Sequence, residues 1–204
     1  VVFFGGGTPT ILKEHQLEKI FRSIHENYNL SDDCEFTLET TLHNLNLNKI
    51  KVLEKNGVNR LSVGIQSFAE KGRNMLNRTF TKEEVIRRLK ELKENFRGMV
   101  CTDIIYNYPE ETVEEVTEDA KIVADLEIDS TSFYSLMIHE GSKMSKDIKE
   151  NTFELNYQLE TDRKLHHAFL KKLLATGEYE VMEHTKVVRK EKDRYNYIRF
   201  THKG

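Results

Sequence analysis

The sequence predicts an α/β fold built on a parallel β-sheet, either open or closed into part of a barrel. Short strand-like segments alternate along the chain with longer segments whose apolar residues recur at helical spacing. The first strand-like run, residues 1–4, is apolar throughout and ends at three consecutive glycines. This pattern is typical of a strand that is covered on both faces. The 204 residues are enough for one domain with a sizeable core.

The expected elements follow one another in a regular order. Strands are predicted at residues 1–4, 35–40, 60–66, 99–106 and 131–138. Helices are predicted at residues 13–29, 46–56, 69–77, 81–96, 112–126 and 155–176. Thr81 and Glu84 form a capping-box signal for the fourth helix, and Asn56-Gly57 is a stop signal for the second. Residues 178–204 are basic and aromatic, with only weak periodicity.

Composition argues against several classes of function. The net charge of -3 gives no strong field that would favour nucleic acid, and no apolar run approaches the roughly 20 residues that span a bilayer. Cys34 and Cys101 are far apart and each begins a strand-like run, so we expect two buried small hydrophobes, not a metal site. A reducing cytoplasm is therefore the expected compartment. No signal peptide is expected, and a chain that starts inside a buried strand indicates a fragment whose N-terminus lies upstream.

Polar residues fall where the predicted strands end, which is where ligands bind in parallel α/β folds. They are Gly6, Gly7 and Thr8 after the first strand, Glu39, Gln66, Arg78 in the turn between two helices, Asp103, and Met137 and His139 after the fifth strand. Asp103 interrupts an apolar run, and a buried carboxylate needs a cationic or hydroxyl partner. Arg78 is a candidate for that partner, or the two residues share a ligand.

Simpler interpretations exist for single members of this set. Glu39 can be a solvated carboxylate at a strand end, Gln66 can cap a helix, and the three glycines can be a turn without a ligand. Taken together, the residues favour a small polar ligand with amine, carboxylate and hydroxyl groups. Their spacing alone does not name it.

Five motifs resemble one family in order and spacing. They are Phe4-Gly-Gly-Gly-Thr-Pro-Thr10, Thr37-Leu-Glu39, the run from Gly57 to Phe68 (Gly-Val-Asn-Arg-Leu-Ser-Val-Gly-Ile-Gln-Ser-Phe), Asn77-Arg78, and Asp103-Ile-Ile-Tyr-Asn-Tyr-Pro109. The chain resembles the radical S-adenosylmethionine (SAM) enzymes related to oxygen-independent coproporphyrinogen oxidase. The resemblance implies a partial (β/α)6 radical SAM barrel over residues 1–145, without its first strand and cluster loop. Residues 146–204 would then be a helical or mixed C-terminal extension that holds part of the substrate region.

The resemblance also implies roles for the polar residues. Gly6, Gly7, Thr8, Glu39, Gln66, Arg78, Asp103 and the backbone of Met137 would bind one or two SAM molecules as positioning groups, and none would be a catalyst of proton transfer. The family binds a [4Fe-4S] cluster through three cysteines spaced Cys-x3-Cys-x2-Cys. Cys34 and Cys101 match none of these positions. We expect the cluster loop upstream of this sequence, with a degenerate relative that has no cluster as the alternative.

The C-terminal part favours one branch of the family. The runs Tyr134–Ser142 and Arg189–Tyr197 are similar to those of enzymes that open haem anaerobically, for haem utilisation and iron release, with SAM as methyl donor and radical source. Haem chaperones carry a His-Asn-x-x-Tyr-Trp run in this region, and this chain has no tryptophan. The open alternatives are a coproporphyrinogen III dehydrogenase and a non-catalytic haem chaperone. The implied partners are haem or another tetrapyrrole and a reducing electron donor such as flavodoxin, without nucleic acid or a membrane.

Histidines and basic residues near the C-terminus are candidate substrate ligands. His139 and His184 can bind or orient a tetrapyrrole, because haem iron readily takes imidazole. Lys186, Arg189, Lys190 and Arg194 can pair with haem propionates. For each of them, a solvated position on the surface is the simpler interpretation.

Overall fold

The computed structural model describes residues 1–141, 143–150, 158–192 and 196. Its strands are β1 (Val2–Phe4), β2 (Phe36–Thr40), β3 (Arg60–Gln66), β4 (Met99–Tyr106), β5 (Ser130–Ser135), β6 (Tyr179–Glu183) and β7 (Lys186–Arg189). Its α-helices are α1 (Glu14–Asn27), α2 (Leu47–Lys55), α3 (Glu70–Met75), α4 (Lys82–Asn95), α5 (Val113–Asp125), α6 (Lys143–Lys149) and α7 (Leu159–Leu174). Two short 3-10 turns, Pro9–Ile11 and Leu42–Asn44, follow the first two strands.

The strands form one sheet in the order β1-β2-β3-β4-β5-β7-β6. The first five strands are parallel and in sequence order, which confirms the predicted α/β fold. β7 pairs with β5 and with β6 in antiparallel fashion. Since parallel strands end at the same edge, this order brings the ends of β1 to β5 together.

One face of the sheet is apolar and covered by helices. Leu17 and Phe21 of α1 are fully buried, and the Phe21 ring packs edge-on against Phe36 of β2 at 5.6 Å between centroids. Farther along the sheet, Phe133 of β5 stacks on Phe169 of α7 at 3.8 Å. The Tyr106 ring of β4 also stacks on Phe133, at 4.0 Å between centroids. The helical spacing of apolar residues in the sequence predicts the buried positions of Leu17 and Phe21, because α1 has one apolar stripe.

The opposite face of the sheet is polar. Side chains alternate between faces along a strand, and residues in register across the sheet share a face. The register therefore places the following residues together, and we call them the polar face: Thr37, Glu39, Arg60, Ser62, Asp103, Ser130, Ser132, Tyr134 and Lys186. On this face, Asp103, Ser132 and Lys186 lie side by side in one row across β4, β5 and β7, and Gly64 of β3 is the next position in the same row.

The last quarter of the chain differs from the sequence prediction. β5 ends at Ser135 instead of residue 138, helix α6 was not predicted, and the weakly periodic tail contains the hairpin of β6 and β7. Both hairpin strands are short, and β6 carries three polar residues of five, so neither produces a clear period of two. Cys101 is buried as expected, whereas Cys34 is only half-buried. In the described part of the chain, no helix has the length and hydropathy of a membrane span.

Two buried polar side chains fix the segment after β3. Asp119 of α5 is 2 % exposed and accepts hydrogen bonds from the Ser67 hydroxyl at 3.1 Å and the Phe68 backbone N–H at 3.3 Å. Arg73 of α3 donates to the carbonyl oxygens of Ser67 and Phe80. Burial raises the pKa of Asp119 to about 7 and lowers the pKa of Arg73. These contacts tie the end of β3 to α3 and α5.

A second buried carboxylate supports the turn after β4. Glu111 accepts a hydrogen bond from the Asn107 backbone N–H. Burial raises its pKa to about 9, the Asn107 N–H acts in the opposite direction, and nearby Asp119 adds to the rise. The folded chain therefore holds Glu111 in its neutral form at neutral pH.

Replacing Asp119 with alanine should leave the Ser67 hydroxyl and the Phe68 N–H buried without their partner. We expect the free energy of unfolding in urea to fall by about 2–4 kcal/mol. Asp125→Ala on the exposed side of the same helix is the control, and its effect should stay within about 0.5 kcal/mol. Equal losses for the two variants would contradict the role assigned to Asp119.

The free energy of unfolding should depend on pH through Glu111. A carboxyl whose pKa is raised on folding binds its proton more tightly in the folded state, so its contribution falls as pH rises from about 4.5 toward about 9. Glu111→Gln cannot ionise. Relative to the wild type it should gain on the order of 5 kcal/mol between pH 5 and pH 9. Glu110→Gln, at the exposed neighbouring position, should follow the wild type across the same range in urea titrations.

Candidate functional site

The glycine turn after β1 holds the Glu39 carboxylate against the backbone. Gly6 and Gly7 have φ values of +87° and +113°, a backbone conformation that residues with a Cβ rarely adopt. The Gly6 N–H donates to Oε2 of Glu39 at 3.0 Å. A Cβ on Gly5 would lie 2.5 Å from the same oxygen, so glycine is required there for the approach. The structure thus brings the turn and Glu39 together, and Thr8 begins the 3-10 turn that follows.

Asp103 has a hydroxyl partner. The Ser62 Oγ donates to Oδ2 of Asp103 at 2.9 Å from the adjacent strand. A carboxylate has four acceptor positions, and this bond uses one, so Asp103 keeps capacity for a ligand. The side chain is half-buried. Within the described residues Arg78 makes no ion pair with it, so of the two expected partners the hydroxyl is the one observed.

Gln66 stands at an irregular end of β3. Its φ is +70°, and the register with β4 shifts between Gly64 and Gln66. The amide Nε2 lies 3.0 Å from the position of a Cβ on Gly64, so the side chain folds back over that glycine. A positive φ in a residue other than glycine is a strained backbone that recurs at functional sites. The alternative that Gln66 caps a helix is wrong, because α3 begins after Ala69 without a side-chain cap.

Arg78 lines a cavity of about 290 Å³ with Thr41, Gly64, Phe80 and others. Its Nε is buried and has no hydrogen-bond partner in the part of the chain that the structure describes. Burial lowers the pKa of its guanidinium, but an arginine remains charged. The cavity reaches Gly64, which is the register neighbour of Asp103. A buried donor on a charged group beside a cavity fits an anionic ligand.

The residues after β5 lie at the same edge of the sheet. The Leu136 backbone N–H donates to the Tyr106 carbonyl at 2.7 Å and extends the pairing beyond the strand. Met137 is 69 % exposed and His139 is exposed. Both are therefore accessible at the carboxyl ends of the strands, as the sequence predicts.

His184 lies on the other side of the sheet. Its ring stacks on His166 of α7 at 4.4 Å, and its carbonyl oxygen contacts Nε2 of His166 at 2.9 Å. The His166 ring in turn contacts Phe133 on the helix-covered face. The structure does not bring His184 together with Glu39 and Asp103, and packing against α7 accounts for its position.

The basic residues near the C-terminus, which were candidates for pairing with haem propionates, differ from one another in their surroundings. Arg189 forms ion pairs with Glu127 and Glu178 at 3.0 and 3.2 Å, and Lys190 is exposed. Arg194 lies outside the described residues, as do parts of the Tyr134–Ser142 and Arg189–Tyr197 runs. Lys186 is instead buried on the polar face, 3 % exposed, and donates to Ser132 at 2.9 Å. The interpretation of Lys186 as a solvated residue is therefore wrong.

Sequence reasoning missed three residues that shape the site. Ser62 holds Asp103, Ser132 contacts Lys186, and Arg73 anchors the segment that carries Arg78. Ser62 and Ser132 are themselves buried, next to buried residues in their strands, so the sequence carried no local signal for them. Among the described residues, no group of three or more His, Cys, Asp or Glu could hold a metal ion.

A family model described as the radical SAM superfamily matches residues 1–123. Anaerobilin synthase from Escherichia coli O157:H7 is 32% identical over 148 residues, covering 72% of this chain and 33% of that protein. The haem chaperone HemW from Lactococcus lactis is 33% identical over 139 residues, covering 68% of this chain and 37% of that protein. The chain therefore spans about a third of the length of these curated relatives.

Solved structures agree in fold. Coproporphyrinogen III oxidase (HemN) from Escherichia coli, described as a radical SAM enzyme, superposes with a TM-score of 0.80 at 22% identity. The match covers 97% of this chain and 45% of that one. Members of the superfamily use SAM and a [4Fe-4S] cluster. The family model covers more than half of the sequence, and the sheet of five parallel strands has the fold of HemN: the chain belongs to the radical SAM superfamily.

Proposed function

We propose that residues 1–145 bind SAM in a longer radical SAM enzyme that opens the haem ring anaerobically. The observation that carries the SAM site is Arg78, whose buried Nε has no partner among the described residues and whose side chain lines the cavity beside Gly64. The anion that fits this guanidinium is the carboxylate of the methionine part of SAM.

The remaining donor set complements the other groups of SAM. Glu39 is an acceptor for the methionine ammonium group, and the open glycine turn lets the backbone approach it. Asp103 and Gln66 suit the ribose hydroxyls, because a carboxylate and an amide accept from hydroxyl groups. Thr8 and the Met137 backbone lie at the same edge and complete the proposed site. Glu39 and Asp103 supply acceptors on two different strands, so the assignment also allows the two SAM molecules expected from the resemblance.

These residues position SAM and exclude water from it. A [4Fe-4S] cluster would supply the electron for radical chemistry on SAM, and SAM would supply the radical and the methyl group, while the residues of this chain would hold SAM in place. Arg78 and Glu39 would fix the methionine end, and Asp103 with Ser62 would fix the orientation of the ribose. The described residues do not fit a cluster: Cys101 is buried within β4, and Cys34 precedes β2 at the opposite edge. We assign its ligands to cysteines outside this sequence.

The relatives support a tetrapyrrole as substrate, since anaerobilin synthase and a haem chaperone are both named for haem chemistry or haem delivery. The similarity of the Tyr134–Ser142 run to haem-opening enzymes favours the first of these activities. Coproporphyrinogen III dehydrogenation and haem delivery without catalysis are the alternatives. In this proposal residues 146–204 contribute to the substrate region, and a cytoplasmic reductant such as flavodoxin supplies electrons.

The SAM assignment predicts a specific loss in Arg78→Ala. In the complete, cluster-loaded protein that carries this sequence, SAM affinity should fall about 10- to 100-fold, as expected for a charged hydrogen bond. Arg87→Ala, on the exposed surface of α4, is the matched control and should bind SAM normally. Equilibrium dialysis measures both affinities, and circular dichroism confirms that the variants are folded. Unchanged SAM binding by Arg78→Ala would remove this residue from the site.

The proposed reaction predicts a linear tetrapyrrole. Anaerobic incubation of the complete protein with haem, SAM and a reductant should give this product together with 5′-deoxyadenosine, detected by liquid chromatography and mass spectrometry. Tight haem binding without turnover would favour the chaperone. Decarboxylation of coproporphyrinogen III with no conversion of haem would favour the dehydrogenase.

A further inference from the structure

The polar face continues past the proposed SAM residues toward β7. Along the row across the sheet, Asp103 is followed by Ser132 of β5 and then by Lys186 of β7. Tyr134 lies on the same face, two residues beyond Ser132 and nearer the carboxyl ends of the strands. None of the SAM assignments uses Ser132, Tyr134 or Lys186, and all three lie outside the matched family model, which ends at residue 123.

Lys186 is a cation placed inside the protein. A buried ammonium is costly unless polar groups surround it, and the Ser132 hydroxyl is one of its partners at 2.9 Å. Arg60, 1 % exposed, repeats the arrangement one layer below, where its Nη2 donates to the Ser130 hydroxyl at 3.3 Å. Arg60 of β3 and Lys186 of β7 are thus two buried cations on the polar face, and each contacts a serine of β5.

Tyr134 is the accessible member of the group. It is 42 % exposed, in contrast to Ser132 and Lys186. Burial of its inner part raises the pKa of the phenol, and Ser132 beside it acts in the opposite direction, so the hydroxyl is a proton donor at neutral pH. Asp103 and Glu183 are the nearby acidic groups, and Glu183 lies opposite Lys186 in the hairpin.

The exposed surface here suits a large, flat, partly apolar ligand. Tyr134 and Met137 both expose apolar side chains at the end of β5. An aromatic ring with a polar tip can pack against a macrocycle and donate a hydrogen bond at its rim. Haem and coproporphyrinogen both carry propionate side chains, each ending in a carboxylate, at the rim of the macrocycle.

We propose that Tyr134 is a substrate-contacting residue whose ring packs on the tetrapyrrole and whose hydroxyl donates to one of its carboxylate side chains. Lys186 acts through Ser132 as a positioning residue: its ammonium donates to the serine oxygen, and the serine hydroxyl is then oriented to donate to the Tyr134 hydroxyl beside it. The inference rests on the proposed tetrapyrrole function and adds to it the part of the molecule that is recognised.

Tyr134→Phe tests the contact in the complete, cluster-loaded protein. We expect haem affinity to fall about 3- to 10-fold, the effect of one hydrogen bond, with SAM affinity unchanged. Tyr28→Phe, an exposed tyrosine at the end of α1, is the control and should bind haem as the wild type does. Lys186→Met should lower haem affinity as well, without altering the SAM affinity if it remains folded by circular dichroism.

Haem dimethyl ester separates a direct contact from a structural effect. Esterification removes the carboxylate charge, so the wild type should lose affinity, and Tyr134→Phe should lose little more, because the two changes remove the same interaction. Losses that simply add would overturn the inference, whereas haem binding by the wild type would leave the proposed tetrapyrrole ligand standing. If the wild type binds neither tetrapyrrole, the proposed function fails and this inference fails with it.

Discussion

The register of the parallel sheet is the constraint on which the site depends. Because neighbouring strands are parallel and in sequence order, residues far apart in the chain meet in rows. Gly64, Asp103, Ser132 and Lys186 form one such row, and Glu39 faces Ser62 in the row before it. A slip of one residue in any strand would turn its polar side chains toward the helices and its apolar ones away from them. The apolar packing of α1 to α5 and α7 therefore also fixes the polar face.

Buried polar contacts fix the position of the segment between β3 and α4, which strand pairing does not hold. The chain from Ser67 to Phe80 is held by Asp119 and Arg73, and Arg78 projects from its end toward the cavity. The Arg73 guanidinium is charged and the Asp119 carboxyl is ionisable, and both are buried. Each therefore stabilises the fold only while its hydrogen-bond partners are present. Asn77, whose φ is +53°, lies within this segment directly before Arg78.

The sequence predicted much of the fold, and the reasons are physical. The five parallel strands and the helices α1 to α5 follow from apolar periodicity. Glu39 follows from its place at the end of a strand, and Asp103 from its interruption of an apolar run. Asp103's partner was left open because a serine within a strand carries no local signal. The positive φ of Gln66 arises from a register shift, which is a property of two strands. The hairpin of β6 and β7 lacks a clear period, and the stacking of His184 on His166 depends on the position of α7.

The residues proposed to bind SAM and those proposed to contact the tetrapyrrole come largely from different parts of the sheet. The groups assigned to SAM come from the turn after β1, from β2 to β4 and from the segment between β3 and α4, and the Met137 backbone after β5 joins them. Tyr134, Ser132 and Lys186 come from β5 and the antiparallel hairpin. The hairpin is tied to the end of α5, where the Tyr179 hydroxyl donates to the Ile128 carbonyl at 2.8 Å, and not to the glycine turn. Mutations in the β6–β7 hairpin that leave β5 in register can therefore change this end of the sheet while the pairing of β1 to β5 is kept. Such modularity offers a route by which one ancestral scaffold diversifies toward different substrates while its cofactor chemistry is conserved.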